Sequence, residues 1–162
     1  MTKKRVAHAF SAGGVVFRAD APIVSNTGES VIAPQIEIAL VGHVRENIWT
    51  LPKGTPTREE TREQTALREV REETGLDARI VGEAGEIEYT FSRRGVRYIK
   101  QVFHYVMLAT GGSVAHHDHE YDEARWFPFD EALHALTYAN EAEIVRRAEP
   151  TILRFLADGR RE

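Results

Sequence analysis

The segment Thr57–Thr74, TREETREQTALREVREET, constrains this chain more than any other. Its composition and apolar spacing predict a helix. Glu59 and Glu60 are expected in the first turn, where the helix dipole favours negative charge, and Gly75 follows as a C-cap. At about 100° per residue, Glu69, Glu72 and Glu73 fall on one stripe. Ala66, Leu67, Val70 and Thr74 fall on an adjacent, more apolar one. The helix can therefore bury one side and present a dense anionic patch on another. Such a patch is costly unless something neutralises it, because like charges at i, i+4 repel. Taken alone, however, the stripe also fits a solvated face laced with pairs such as Arg68–Glu72.

The flanking sequence reads mostly as strands. Val6–Arg18 holds the apolar run Gly14-Val15-Val16-Phe17, and Ile36–Val41 and Ile48–Leu51 follow it. Between them, Asp20–Pro34 is polar and broken by Pro22, Asn26 and Gly28, as a loop would be. Lys53–Pro56 reads as a second loop. Ala78–Phe91 and Val96–Ala109 are two long strands, joined by a turn at Ser92-Arg93-Arg94-Gly95. A polar, His-rich loop (Gly111–Asp122) precedes a short strand, Ala124–Phe129. Asp130 is expected to cap a short helix to Leu136, and Asn140 to cap a final one, with Glu143 in capping-box spacing. Pro150 should kink or break that last helix. The tail from about 158 to 162 should fray.

At 162 residues this is one domain, expected over 1–162, with an α/β (mixed α+β) order of elements. The absence of cysteine excludes a thiol nucleophile, Cys-ligated zinc and disulfides, and fits a cytoplasmic location. No apolar run is long enough to span a membrane. His8, Ser11, Gly13 and Gly14 interrupt the only stretch that looks like a leader. A net charge of −4 carries no basic excess for a nucleic-acid backbone, so no polymer partner is expected. A small polyanion bound through divalent cations remains compatible. Whether the chain is a monomer or a homodimer is left open.

Spacing decides how the glutamate stripe is read. Gly54 lies six residues before Glu60. Arg68 comes eight residues after Glu60 and is followed by Glu69, Val70, Glu72, Glu73, Gly75 and Leu76. This is G-x5-E-x7-R-E-U-x-E-E-x-G-U, with U aliphatic, matched at every fixed position. A chance match at a given start is on the order of one in 10⁹. The sequence thus resembles the Nudix hydrolases. The resemblance implies their fold, a mixed β-sheet sandwiched between helices, and hydrolysis of a pyrophosphate bond. It implies Mg²⁺, with Mn²⁺ as an alternative, held by Glu69 and Glu73 with the Gly54 carbonyl. Glu72 would complete the metal shell or orient water, Arg68 would hold the carboxylates, and Glu60 and Gly75 would support the motif. The chemistry agrees, since Mg²⁺ is a hard ion that takes oxygen ligands, waters and phosphates. A general base is also needed. The resemblance implies that it comes from a glutamate of the motif or from one in a loop before the last strand, where Glu120 and Glu123 lie; Glu120 is preferred, although it also fits an exposed loop position.

For the substrate, Trp49-Thr50-Leu51-Pro52-Lys53-Gly54 is similar to the entry segment of the bacterial diadenosine polyphosphate hydrolases. Lys53 would then face phosphates. Tyr89, Phe91 or Tyr105 would stack on adenine, although simple sheet packing accounts for each aromatic as well. Arg45 is a further substrate-binding candidate. Arg93, Arg94, Arg97 and Lys100 either guide a polyphosphate or form a solvated hairpin tip. His116, His117 and His119 suggest either a transition-metal cluster or a solvent loop that closes near substrate. The leading expectation is hydrolysis of diadenosine polyphosphates. The alternatives are cleansing of oxidised nucleoside triphosphates such as 8-oxo-dGTP and, in another class, a non-catalytic nucleotide sensor.

Overall fold

A computed structural model describes residues 5–20, 34–57 and 59–159. Most of the expected Asp20–Pro34 loop, and the end of the tail at 160–162, lie outside these residues.

The strands are β1 (Arg5–Ala19), β2 (Ile36–His43), β3 (Ile48–Thr50), β4 (Lys53–Gly54), β5 (Leu76–Arg93), β6 (Val96–Gly112) and β7 (Glu123–Pro128). The helices are α1 (Arg62–Thr74), α2 (Phe129–Ala135) and α3 (Ala139–Asp158). All seven strands form one sheet with the central path β3-β2-β1-β6-β5. β1 runs parallel to β6 from Arg5–Val96 to Phe17–Leu108, and the other pairings are antiparallel. The sheet is therefore mixed, as expected.

Successive residues of a strand point to opposite faces, and each face buries its own cluster. Val15, Phe17, Ile38, Leu40 and Val106 pack with Ile144, Val145, Ala148 and Ile152 of α3. The residues between them, Val16, Ala39, Tyr105 and Met107, pack with Ala66 and Val70 of α1. Helices thus cover both faces.

The sheet splits where the motif begins. β1 and β2 pair only through Phe17–Ala19 and Ile36–Ile38. Beyond that they diverge, and β3 and β4, which follow β2 in the chain, occupy the gap. β3 pairs with Val41–His43 of β2, and β4 pairs with Ala12–Gly13 of β1. The expected loop at Lys53–Pro56 therefore starts with a two-residue strand. Gly13 is required at this crossing, because a Cβ there would lie 2.0 Å from the Pro52 carbonyl oxygen.

Three expected helix boundaries move. α1 begins after Thr61, not at Thr57: the Thr61 side chain accepts from the Gln64 N–H, and Gln64 returns the bond to the Thr61 N–H. Glu59 and Glu60 consequently stand before the helix. α2 starts at Phe129, so Asp130 lies inside its first turn. α3 starts at Ala139, so Asn140 is not its cap, and the helix runs unbroken through Pro150.

Candidate functional site

The cap of α1 leaves Glu60 free to turn back on Arg68. The Arg68 guanidinium uses all five of its N–H groups. It forks onto Glu60 at 2.7 and 3.0 Å, reaches Glu69 at 2.9 Å and Glu72 at 3.2 Å, and donates to the Thr55 carbonyl at 3.0 Å. A planar fork matched to a carboxylate is among the strongest hydrogen-bonded pairs. It holds the Glu60 carboxyl down at about 2, with the Thr57 N–H helping. The same pairing raises Arg68 further above its ordinary value.

The three helix glutamates lie at different depths. Glu72 is exposed at the rim and Glu69 is half-buried, whereas Glu73 is only 1% exposed. Glu73 accepts one hydrogen bond, from the Lys53 backbone N–H at 3.1 Å. Burial pushes its carboxyl up to about 9. The Lys53 N–H opposes this, and the negative charges of Glu120, Glu69 and Asp118 add to it. Burial also raises Glu69 against the pull of Arg68. The Glu69 carboxylate lies flat on Gly54, where a Cβ would sit 2.0 Å from its carboxyl carbon. Any side chain at position 54 would displace it. One buried and one half-buried carboxylate beside a bare backbone, with too little positive charge to neutralise them, form an oxygen donor set that suits a hard divalent ion.

Gly75 ends α1 in the left-handed region at φ 78°, and a Cβ there would also strike the Ser113 carbonyl oxygen at 2.3 Å. That close approach seats the His-rich loop on the helix end, and the Asp118 N–H donates to the Glu72 carbonyl at 2.8 Å. The loop is thus pinned to α1, and it brings Glu120 near enough to raise both Glu69 and Glu73.

On the other side of Lys53 is a cavity of about 370 Å³, lined by Lys53, Ile87, Tyr89, Val102, Tyr138, Asn140 and Glu141. Glu141 is 1% exposed. One of its oxygens accepts from the Leu51 N–H at 3.4 Å and lies 3.9 Å from Lys53 Nζ, and the other has no partner. Burial raises this carboxyl to about 7 against Lys53 and the Leu51 N–H. Nothing in the local sequence signals this burial, because a glutamate in the first turn of a helix ordinarily faces water. His104 was also unforeseen. It is buried with both ring nitrogens unpartnered, and burial, with Lys53 nearby, lowers it to about 4.

Of the substrate candidates, Lys53 and Tyr89 meet in this cavity. Phe91 lies further out on the same hairpin. Tyr105 is on the α1 face instead, bonded to Glu63 at 3.3 Å. Arg45 is exposed in the β2–β3 turn and lines neither this cavity nor the one beside Tyr105. Among the described residues, one group has three metal-ligand side chains whose ligand atoms lie within 4.8 Å of one another: His43, Glu46 and Asp122. Two of its members already have structural roles. Asp122 accepts the Val44 N–H, and His43 packs on Tyr121 at 4.9 Å.

A mixed sheet between helices, with a glutamate helix set against a glycine strand, defines a class. The NUDIX domain pattern matches residues 17–148, and the chain belongs to that family. The putative mutator protein MutT4 of Mycobacterium tuberculosis is 36% identical over 161 residues, covering 98% of this chain and 61% of its own length. An 8-oxo-(d)GTP phosphatase of Mycolicibacterium smegmatis is 30% identical over 146 residues, covering 90% of this chain and 43% of its own length. The chain thus spans only part of these relatives. A C. elegans Ap4A hydrolase binary complex has a TM-score of 0.61 at 19% identity, covering 90% of this chain and 98% of that one. The NUDIX domain of Shewanella oneidensis NrtR, crystallised with ADP ribose, also scores 0.61, at 15% identity, covering 90% and 89%. At these identities the likeness is one of fold. Among the described residues no helix is long and apolar enough to cross a membrane.

Proposed function

We propose that the chain hydrolyses a phosphoanhydride bond in a nucleoside polyphosphate, with Mg²⁺ as cofactor and Mn²⁺ as a substitute. One observation carries this reading: Glu73, a buried carboxyl with a single N–H partner, stands beside Glu69 and Gly54. When bound, the divalent ion neutralises phosphate charge and makes water a better nucleophile. Glu69, Glu73 and the Gly54 carbonyl would hold it, with Glu72 at the rim. Arg68 is a positioning residue that fixes Glu69 and Glu72. Glu120, carried in by the pinned loop, would accept the proton of the attacking water. Water adds to phosphorus, the bridging P–O bond breaks, and the leaving phosphate takes the electron pair. Lys53 would meet the phosphates, with its backbone N–H on Glu73 and its ammonium in the neighbouring cavity. Cytoplasmic location and a small nucleotide partner complete the reading.

For the substrate, a dinucleoside polyphosphate such as diadenosine tetraphosphate is favoured by the cavity that joins Lys53 to Tyr89 and Tyr138. Oxidised guanine nucleoside triphosphates are the second reading, favoured by the name that the Mycolicibacterium relative carries. Product analysis of a nucleotide panel with Mg²⁺ separates the two. ATP and AMP from diadenosine tetraphosphate support the first. A strong preference for 8-oxo-dGTP supports the second. Binding without turnover of any nucleotide would defeat both. Glu120→Gln should slow turnover by about two orders of magnitude, the scale of a lost general base. An unchanged rate would remove Glu120 from the mechanism.

A further inference from the structure

Between β3 and β4 the chain crosses the split in the sheet, and side chains, not a strand, take three of its N–H groups. Buried N–H groups need acceptors wherever they lie. Trp49 N–H donates to Thr137 Oγ1 at 2.9 Å, Leu51 N–H to Glu141 Oε2 at 3.4 Å, and Lys53 N–H to Glu73 Oε2 at 3.1 Å. Pro52, which has no N–H, turns its carbonyl to the Gly14 N–H instead. The two carboxylates reach the split from opposite faces, Glu73 from α1 and Glu141 from α3. Their N–H partners are two residues, or about 7 Å, apart. Lys53 joins the two. Its N–H is on Glu73, and its ammonium lies 3.9 Å from the same Glu141 oxygen that holds Leu51.

Thr137 shows that a neutral hydroxyl is enough to hold an N–H of this segment. A carboxyl that is 1% exposed, with its second oxygen unpartnered, costs more to bury. What it adds is a hold on the Lys53 ammonium. We propose that Glu141 is a positioning residue: its charge keeps the Lys53 ammonium on the α3 face, and so keeps the Lys53 N–H seated on Glu73. Glu141 acts through Lys53 and not by touching the metal. A residue of α3 thereby sets the geometry of a carboxylate on α1, across the thickness of the sheet. This rests on the proposed pyrophosphohydrolase reading and adds to it a residue outside the glutamate motif.

The test is a double-mutant cycle on the full chain with Glu141→Gln, Lys53→Met and the two combined, at about pH 8, where Glu141 is ionised. Glutamine keeps an acceptor oxygen for Leu51 but carries no charge. The first readout is amide hydrogen exchange without metal. In Glu141→Gln the Leu51 amide should stay protected, while the residue 53 amide exchanges about fivefold faster, the upper end for a partly exposed ion pair. Lys53→Met should do the same, and the double variant should be no worse than either. The second readout is equilibrium Mn²⁺ binding without nucleotide. Affinity should fall about tenfold in each single variant, at the low end for a group that orients a metal ligand, and no further in the double. Unchanged exchange at residue 53 in Glu141→Gln would leave Glu141 a structural acceptor and overturn the proposal. Additive effects in the double variant would reduce it to bulk charge and overturn it too, as would a loosened residue 53 with full Mn²⁺ affinity. A wild-type chain that binds Mn²⁺ no better than Glu73→Gln would instead defeat the metal-dependent reading, and the exchange cycle would still decide the link from Glu141 to Lys53.

Discussion

Glu60 and Glu73 are the same side chain at opposite ends of one motif, and the fold treats them in opposite ways. Glu60 is clasped by the Nε–Nη2 edge of the Arg68 guanidinium and kept ionised, at about 2. Glu73 is buried with one backbone N–H and three acidic neighbours, and is pushed up to about 9. The first carboxylate is saturated and needs nothing further. The second is undersupplied with positive charge and gains from a cation. The Arg68 network makes the frame, and the Glu73 side is where we propose that the chemistry is done.

The largest test of this contrast is Glu73→Gln. The amide keeps the shape and the Lys53 N–H bond but cannot serve as a charged ligand. Turnover should fall by about three orders of magnitude, the scale of losing a preorganised charge-stabilising group, while the metal-free domain stays folded. Near-wild-type turnover would refute the assignment. Next comes Arg68→Ala, which releases Glu60, Glu69 and Glu72 together. Loss of a group that orients metal ligands costs about 10–100-fold, so steady-state rates should drop by that much and the melting temperature should fall too. A drop in stability with full activity would leave Arg68 a purely structural role.

The smallest effect is in the pH dependence of the metal-free protein. A carboxyl whose pKa is higher in the folded chain than in the unfolded one makes the fold lose stability as pH climbs from the unfolded value to the folded one. For Glu73 that window runs from its ordinary 4.5 to about 9. Glu141 acts in the same direction up to about 7, and His104, lowered to about 4, acts oppositely below its ordinary 6.5. Between about pH 7 and pH 9 Glu73 therefore dominates. The melting temperature should drift down by a few degrees across that range, Mg²⁺ should restore it increasingly as pH rises, and Glu73→Gln should flatten the slope. A flat wild-type profile would show that Glu73 is not held protonated.

Much of this was legible in the sequence because it is local. The capping glycine at 75, the strand alternation and the motif spacing each report short-range geometry. The start of α1 was legible too, since Thr61 and Gln64 form a capping pair, but the acidic pair at Glu59 and Glu60 competed with it as a first turn. The depth order of Glu69, Glu72 and Glu73 was not legible. It depends on β4 pairing with β1, a contact between residues about forty positions apart that brings Gly54 and the Lys53 N–H against α1. Glu141 was hidden for a similar reason, since its burial depends on Leu51 and Lys53 in the split of the sheet.

The most direct measurement is anomalous scattering from a crystal of the protein grown with Mn²⁺. The account predicts a peak within about 2.5 Å of carboxyl oxygens of both Glu69 and Glu73, beside Gly54. A peak at His43, Glu46 and Asp122 instead, with none at the helix glutamates, would contradict it.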